Sequence, residues 1–276
     1  MTTYRTARET ELDQILGWAA NEGWNPGIDD APAFYATDPH GFFVATDDTD
    51  TPIAAISVVN HTAEFAFLGL YIVRPEHRGT GIGYGLWQHA LKHAGQRTIG
   101  LDGVEAQQAN YQSSGFVSAG GTTRFTGMMT GTVCHDAQLA HPDDFARLIA
   151  LEAAASGVAK PTYLSGWFET KPTRQTITLK VQDQITAFAT VRSCVDGAKI
   201  GPLYAPDLGC ARKLILHCAT VFDGPISIDV PATSAGLSQL CDDLGLDAGF
   251  RTARMYRGAF DTPPPCVFAV TSLELG

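Results

Sequence analysis

The sequence predicts an α/β protein, an α+β mixed sheet arranged in two halves of similar order. Segments whose apolar residues alternate as in a strand and segments whose apolar residues recur at helical spacing follow one another along all 276 residues. That length suits two domains. With 45% apolar and 17% charged residues, the composition indicates a globular protein with a substantial core. We therefore predict two related domains, residues 1–130 and 131–276.

The first half has the pattern of a sheet flanked by helices. Its segment "EFAFLGLYIV", residues 64–73, is almost wholly apolar, as expected of a strand that is buried on both faces. A helix with an apolar stripe follows and is closed by Gly95. The predicted strands and helices, in chain order, are 3–7, 9–23, 41–48, 52–60, 64–73, 81–94, 98–104, 105–114 and 123–129.

The second half repeats this order of elements without obvious sequence identity. A hairpin is again followed by a strand, a helix, a strand, a helix and a last strand. The predicted segments are 132–137, 141–156, 174–182, 185–194, 198–204, 207–222, 225–230, 233–246 and 251–258.

Charge and cysteine usage narrow the class of protein. A formal net charge of −10 argues against nucleic acid as the main partner. No apolar stretch approaches the ~18 residues of a membrane span, and the polar N-terminus lacks the pattern of a signal peptide. The six cysteines form neither a CxxC pair nor a zinc spacing. We expect free thiols, a cytoplasmic protein, no membrane partner and no metal.

The most unusual stretch is "RGTGIGYG", residues 78–85, between the apolar strand and the helix. Glycine at every second position is costly in backbone entropy, so we expect a ligand to approach the bare backbone. Free N–H groups at a helix start favour phosphate, and Arg78 adds a charged donor. The alternative is a tight turn packed on the sheet. Neither the Walker A pattern nor GxGxxG fits these glycines.

Two motifs resemble those of the GNAT acetyltransferase superfamily. "LYIVRPEHRGTGIG" is similar to its acetyl-CoA signature, with Arg78, Gly81 and Gly83 in place, and "YQSSGF" is similar to its Tyr-x-x-x-Gly-Phe element. This resemblance covers residues 3–127. The whole chain resembles a bacterial subgroup in which a GNAT domain is followed by a degenerate GNAT-like domain, each with a partly splayed mixed sheet.

The resemblance implies an acetyl-CoA-dependent N-acetyltransferase that acts on a primary amine of a small acceptor. It places the pyrophosphate of CoA on the glycine turn and the pantetheine arm along the end of the preceding strand, with the next strand splayed away. The cofactor-binding residues implied are Tyr71, Ile72, Val73, Arg78, Gly79, Thr80, Gly81, Ile82, Gly83, Tyr84 and Tyr111. A non-catalytic acyl-CoA-binding sensor or structural protein is the alternative, and a homodimer is left open.

The same resemblance makes Tyr111 the proton donor to the leaving sulfur, with a half-buried packing residue as the alternative. Some family members carry a glutamate 11 residues before the motif arginine, where this chain has Phe67. The base therefore stays open. The candidates are Glu64 acting through water, Asp102, and direct attack by a neutral amine. A solvated carboxylate at the start of the strand is the alternative for Glu64, and a structural turn role in "LDG" is the alternative for Asp102.

Acceptor-binding residues are predicted in both halves. Trp24 and Phe34 fall where GNAT proteins place acceptor segments, with core packing as the alternative. In the second half, "APDLGC" stands where the glycine turn would be, and its aspartate would repel a pyrophosphate. We therefore expect that this half binds no CoA and shapes the acceptor cleft, with Asp229 or Tyr256 near it. The alternative is that these residues serve only the core and surface of the second half.

Overall fold

The computed structural model describes residues 2–276, and the first half contributes six strands and four helices. The strands are β1 (Thr3–Thr6), β2 (Phe42–Thr46), β3 (Pro52–Asn60), β4 (Phe65–Val73), β5 (Thr98–Val104) and β6 (Val117–Gly127). The helices are α1 (Leu12–Asn21), α2 (Ala31–Thr37), α3 (Ile82–Ala94) and α4 (Gln108–Ser113).

The second half repeats that order and adds one strand. Its strands are β7 (Ala137–Leu139), β8 (Arg174–Val181), β9 (Gln184–Ser193), β10 (Ala198–Ala205), β11 (Ile226–Pro231), β12 (Asp247–Arg257) and β13 (Val267–Ala269). Its helices are α5 (Phe145–Ser156), α6 (Pro161–Trp167), α7 (Leu208–Cys218) and α8 (Ala235–Asp243). The predicted mixed α/β fold is confirmed, whereas α2, α6 and β13 were not predicted.

All strands join one 13-stranded sheet in the order β1-β2-β3-β4-β5-β12-β6-β11-β10-β9-β8-β7, with β13 paired to β10. Among residues 2–276, only β4–β5 and β10–β11 are parallel pairs, and each is connected through a helix, α3 or α7, as parallel strands require. The two halves exchange the long strands β6 and β12, which lie near the end of each half. Strand β12 pairs with β5 of the first half, and β6 pairs with β11 of the second half.

The halves also share a hydrophobic core. One cluster combines buried residues of α1, α2 and β4 with buried residues of α5 and α6. At its centre Phe34 is fully buried and stacks on Trp167, with ring centroids 5.9 Å apart and an interplanar angle of 6°. Because apolar burial is the main driving force of folding, this shared cluster ties the halves together. No helix among residues 2–276 is both long and apolar enough to cross a membrane.

Each half contains a pair of parallel strands that separate toward their carboxyl ends. Strands β4 and β5 pair only from Phe65–Thr98 to Leu68–Leu101. Strands β10 and β11 pair only from Ala198–Ile226 to Ile200–Ile228. In the second half β13 fills the gap, because it pairs with β10 over residues 203–205. In the first half the gap stays open as a cavity.

Candidate active site

The glycine turn opens directly onto helix α3. Gly79 and Gly81 have φ angles of +75° and +83°, a region that side-chain-bearing residues rarely adopt. A Cβ at either position would meet no atom within 4 Å. No side chain caps α3. Among residues 2–276, none of the backbone N–H groups of residues 79–84 has a hydrogen-bond partner. The turn therefore presents a row of free donors at the positive end of a helix dipole.

The other two glycines of the motif, Gly83 and Gly85, are required for a different reason. A Cβ on Gly83 would lie 2.7 Å from the Tyr71 hydroxyl and 2.9 Å from a methyl group of Val73. A Cβ on Gly85 would lie 2.1 Å from the Tyr4 hydroxyl. These two glycines let α3 pack closely on the sheet. Room for a ligand thus accounts for Gly79 and Gly81, and close packing within the protein accounts for Gly83 and Gly85.

Arg78 holds the turn against its neighbours. Its Nε donates to the carbonyl of Val73 at 2.8 Å, and its guanidinium forms an ion pair with Glu22, the residue that follows α1. The side chain is half exposed. In this structure Arg78 therefore connects the end of β4 to the first helix.

An open groove of about 1070 Å³ runs from this turn along the end of β4. Most of the residues predicted to bind a cofactor lie along it: Tyr71, Ile72, Val73, Arg78, Gly79, Gly81, Gly83 and Tyr84. Thr80 instead donates its hydroxyl to the carbonyl of His77 at 2.6 Å, and Ile82 packs against the core beneath α3. Tyr111 lies on the wall of the two adjoining cavities.

The inner end of the groove meets the cavity between β4 and β5. Tyr111 reaches this cavity from α4 and stacks on Trp87 with ring centroids 5.5 Å apart. Burial, with a smaller contribution from Tyr71, raises the pKa of Tyr111 above its ordinary 10.0. The Tyr111 hydroxyl makes no hydrogen bond among residues 2–276. It is a protonated donor without an internal partner.

Asp102 also borders this cavity, but both of its oxygens are engaged. Arg254 of β12 donates through Nε and Nη2 at 2.9 and 2.7 Å. Burial raises the pKa of Asp102 against the opposing effect of that guanidinium. A carboxylate held bidentately by an arginine has few lone pairs left for a substrate proton. Asp102 is thus placed to fix β12 on β5.

Arg124 of β6 and Asp229 of β11 form a second buried ion pair. Arg124 grips the carboxylate at 2.7 and 2.8 Å and donates to the carbonyl of Trp24 at 2.8 Å. Lys199 donates to the same carbonyl at 3.3 Å. Trp24 itself borders both the groove and the inner cavity. Arg124 from the first half and Lys199 from the second half therefore both hold the Trp24 carbonyl, while Asp229 is occupied by Arg124.

Three of the predicted site residues lie elsewhere. Glu64 is exposed just before β4, at the end of that strand opposite to the groove. Phe34 belongs to the core shared by the two halves. Tyr256 stacks on Phe260 with centroids 3.5 Å apart and borders a separate cavity, which β6 and residues of the second half line together. The structure does not bring these residues to Tyr111.

Sequence reasoning missed the contribution of the C-terminal segment to the inner cavity. Leu273 and Glu274 border it, together with Phe250 and Thr252 of β12. One signal was available in "FAFLGLYIV", since an isolated glycine within a strand indicates a bulge or a close backbone approach. That glycine, Gly69, packs against the backbone of Glu274, and the next residue, Leu70, has a φ of +48°.

The corresponding place in the second half is built differently. Asp207 caps α7 by accepting from the N–H of Cys210 at 2.8 Å, and that bond lowers the Asp207 pKa. Strand β13 lies on β10 where the first half has its groove, and the N–H of Val270 donates to the carbonyl of Asp229 at 3.0 Å. In the second half, atoms of the chain itself thus pair with the N–H donor at the start of α7 and with the edge of β10.

Comparison with known proteins agrees with this architecture. Residues 9–119 match the acetyltransferase (GNAT) family, and residues 148–266 match an acetyltransferase (GNAT) domain. Holothin acyltransferase of Pseudoalteromonas sp. (strain SANK 73390) is 31% identical over 285 residues, which cover 99% of this chain and 94% of that relative.

Two solved structures show the same fold. A putative acetyltransferase from Pyrococcus horikoshii is 16% identical, with a TM-score of 0.83 over 100% of this chain and 96% of that chain. A tandem GNAT protein from the clavulanic acid biosynthesis pathway is 14% identical, with a TM-score of 0.66 over 95% of this chain and 100% of that chain. The chain therefore belongs to the GNAT superfamily and is an acyltransferase with two GNAT domains in tandem.

Proposed function

We propose that the enzyme transfers an acetyl group from acetyl-CoA to a primary amine of a small acceptor, within the first domain, residues 1–130. One observation carries this proposal. The free donors of the glycine turn, the groove along β4 and the Tyr111 cavity form one continuous path. The path joins an anion site to a proton donor, as transfer from an acyl-CoA to an amine requires.

The residues of the turn fit a pyrophosphate. The positive φ angles of Gly79 and Gly81 and the open space above them let phosphate oxygens approach the N–H groups of residues 79–84. Residues 71–73 border the groove and offer backbone groups to an extended arm, in the manner of an added strand. When bound, acetyl-CoA supplies an activated thioester.

Tyr111 is proposed as the general acid. Its raised pKa keeps the phenol protonated at neutral pH, and its hydroxyl is free to donate at the inner end of the groove. Thiols have an ordinary pKa of about 8.5, so a thiolate leaving group is a weaker base than a phenolate. A tyrosine therefore assists departure by donating its proton directly to the sulfur as the carbon–sulfur bond breaks, and the proposal accordingly seats the thioester beside the Tyr111 hydroxyl.

Free cysteines support a cytoplasmic location for this activity. Cys134, Cys194, Cys210, Cys218, Cys241 and Cys266 all carry free thiols. Free thiols persist in reducing compartments, and the cytoplasm is one of these.

The proposal is tested by thiol release from acetyl-CoA with a panel of primary alkylamines, arylamines, amino acids and polyamines. We expect amine-dependent thiol release and a product heavier than the amine by one acetyl group in mass spectrometry. Butyryl-CoA and octanoyl-CoA serve as matched donors. Faster turnover with either of them would show that the transferred group is a longer acyl chain and not acetyl. Failure of CoA to bind in calorimetry would reject the groove as its site.

A further inference from the structure

The C-terminal segment 270–276 passes through the interior of the protein. Thr271, Ser272, Leu275 and Glu274 are at most 3% exposed. His61 Nε2 donates to the carbonyl of Leu275 at 2.8 Å, and Lys160 donates to Gly276. A Cβ on Gly69 would lie 2.0 Å from the Glu274 carbonyl oxygen. The backbone of Glu274 is thus fixed against β4 where β4 leaves β5.

The carboxylate of Glu274 is buried without a partner. The residue is 3% exposed, and its Oε2 has no hydrogen-bond partner among residues 2–276. Neither oxygen lies within 4.0 Å of a cationic nitrogen among these residues. The side chain instead borders the inner cavity that also holds Tyr111. The buried cations Arg124, Arg192 and Lys199 act on this carboxylate only through space, so a cationic ligand in the cavity would supply the direct partner that it lacks.

The other charged groups of the cavity are already paired. Arg254 holds both oxygens of Asp102. Asp229 and the Trp24 carbonyl occupy Arg124. Among the described residues that border the cavity, the carboxylate left free is that of Glu274, from the second half. It faces the same space as the phenols of the first half.

We propose that Glu274 binds the ammonium group of the acceptor and takes its proton. This inference rests on the function proposed above and names its acceptor class and its base. The ammonium gives one proton to the Glu274 carboxylate, which later releases it to solvent. The neutral nitrogen then bonds to the acetyl carbonyl carbon as the carbon–sulfur bond breaks. Tyr111 protonates the departing sulfur and recovers a proton from the new amide nitrogen.

The walls of the cavity define the rest of the acceptor. They are mainly apolar and aromatic, formed by Trp24, Leu68, Leu101, Phe250 and Leu273. Since Glu274 is the one unpaired carboxylate among the described residues that border this space, a second positive charge would find no partner there. The acceptor class is therefore a monocationic primary amine on an apolar body, and polyamines are excluded.

The decisive experiment measures the preference of the CoA-saturated full-length protein for an ammonium group. Calorimetry compares 2-phenylethylammonium with 2-phenylethanol, which has the same body and no charge. We expect the wild type to bind the ammonium at least about 10-fold more tightly. Glu274→Gln should abolish this preference, and Glu274→Asp should retain part of it. Glu64→Gln removes an exposed carboxylate at the far end of β4 and should change nothing.

The outcomes separate the two proposals. If the wild type shows no ammonium preference, or if Glu274→Gln keeps it, the role of Glu274 is overturned. CoA affinity and the melting temperature of Glu274→Gln are measured alongside, and both should stay close to the wild-type values. If CoA does not bind the wild type, the proposed function itself fails. For an amine that is turned over, Glu274→Gln should lower kcat/KM by about 100-fold while CoA affinity is kept.

Discussion

Replacing Gly81 by valine tests whether the glycine turn binds CoA. Gly81 has a φ of +83°, and a Cβ there would meet no atom within 4 Å. The loss of stability therefore comes from backbone strain alone, about 1–2 kcal/mol, which lowers the melting temperature by several degrees. The side chain would occupy the space above the free N–H groups. Losing two charge-assisted hydrogen bonds of about 1.5 kcal/mol each weakens CoA binding by roughly 100-fold.

Gly245→Val is the matched control for that experiment. Gly245 has a φ of +78°, a Cβ there would likewise meet no atom within 4 Å, and the residue lies after α8, away from the groove. It should show the same decrease in melting temperature with unchanged CoA affinity. Calorimetric titration of CoA into both variants provides the comparison. A folded Gly81→Val protein with near-native CoA affinity would refute the assignment of the turn.

Three further predictions concern other parts of the chain. Tyr111→Phe should keep CoA affinity and slow transfer about 100-fold, and unchanged turnover would remove Tyr111 from the mechanism. Calorimetry should find one CoA site per chain, because Asp207 and β13 fill the second place, and a second saturable site would contradict this. Burial lowers the His61 pKa to about 3 from 6.5. The unfolded chain therefore takes up the proton first, and stability that is complete above pH 6.5 is lost toward pH 3. Urea unfolding at pH 7.5 and 5 should show that the wild type loses about 2 kcal/mol more than His61→Gln.

The glycine motif shows how far local sequence can predict a site. The strand–turn–helix context and the two motifs correctly predicted the fold of this region and the family, and the binding of CoA in the groove along β4 stays a prediction. They could not separate Gly79 and Gly81 from Gly83 and Gly85, because the four look equivalent in sequence. The difference depends on Tyr4 and Tyr71, which approach from other strands. A contact between distant elements leaves no mark in the local pattern.

The exchange of β6 and β12 between the halves could not be predicted from the sequence for a similar reason. The alternation of apolar and polar residues along a strand predicts which side chains face each layer of the fold. It does not predict which strands lie beside it, because any neighbouring strand can satisfy its backbone hydrogen bonds. Asp102 illustrates the consequence. Its sequence context, "LDG", suggested a catalytic base or a turn residue, and the structure instead pairs it with Arg254, 152 positions away. Buried charges are interpretable only with their partners, which the fold alone supplies.

The exchanged strands give the second half a direct part in the inner cavity of the first half. Strand β12 forms one wall of the inner cavity and carries Phe250 and Thr252, while the segment after β13 brings Glu274 to the same space. If β13 left β10, the residues that follow it would lose their fixed position against Gly69. The strand that fills the gap between β10 and β11 is therefore continuous with the segment that brings a carboxylate to the gap between β4 and β5. The second GNAT domain, whose own gap between β10 and β11 is filled by β13, thus supplies part of the wall of the cavity in the first.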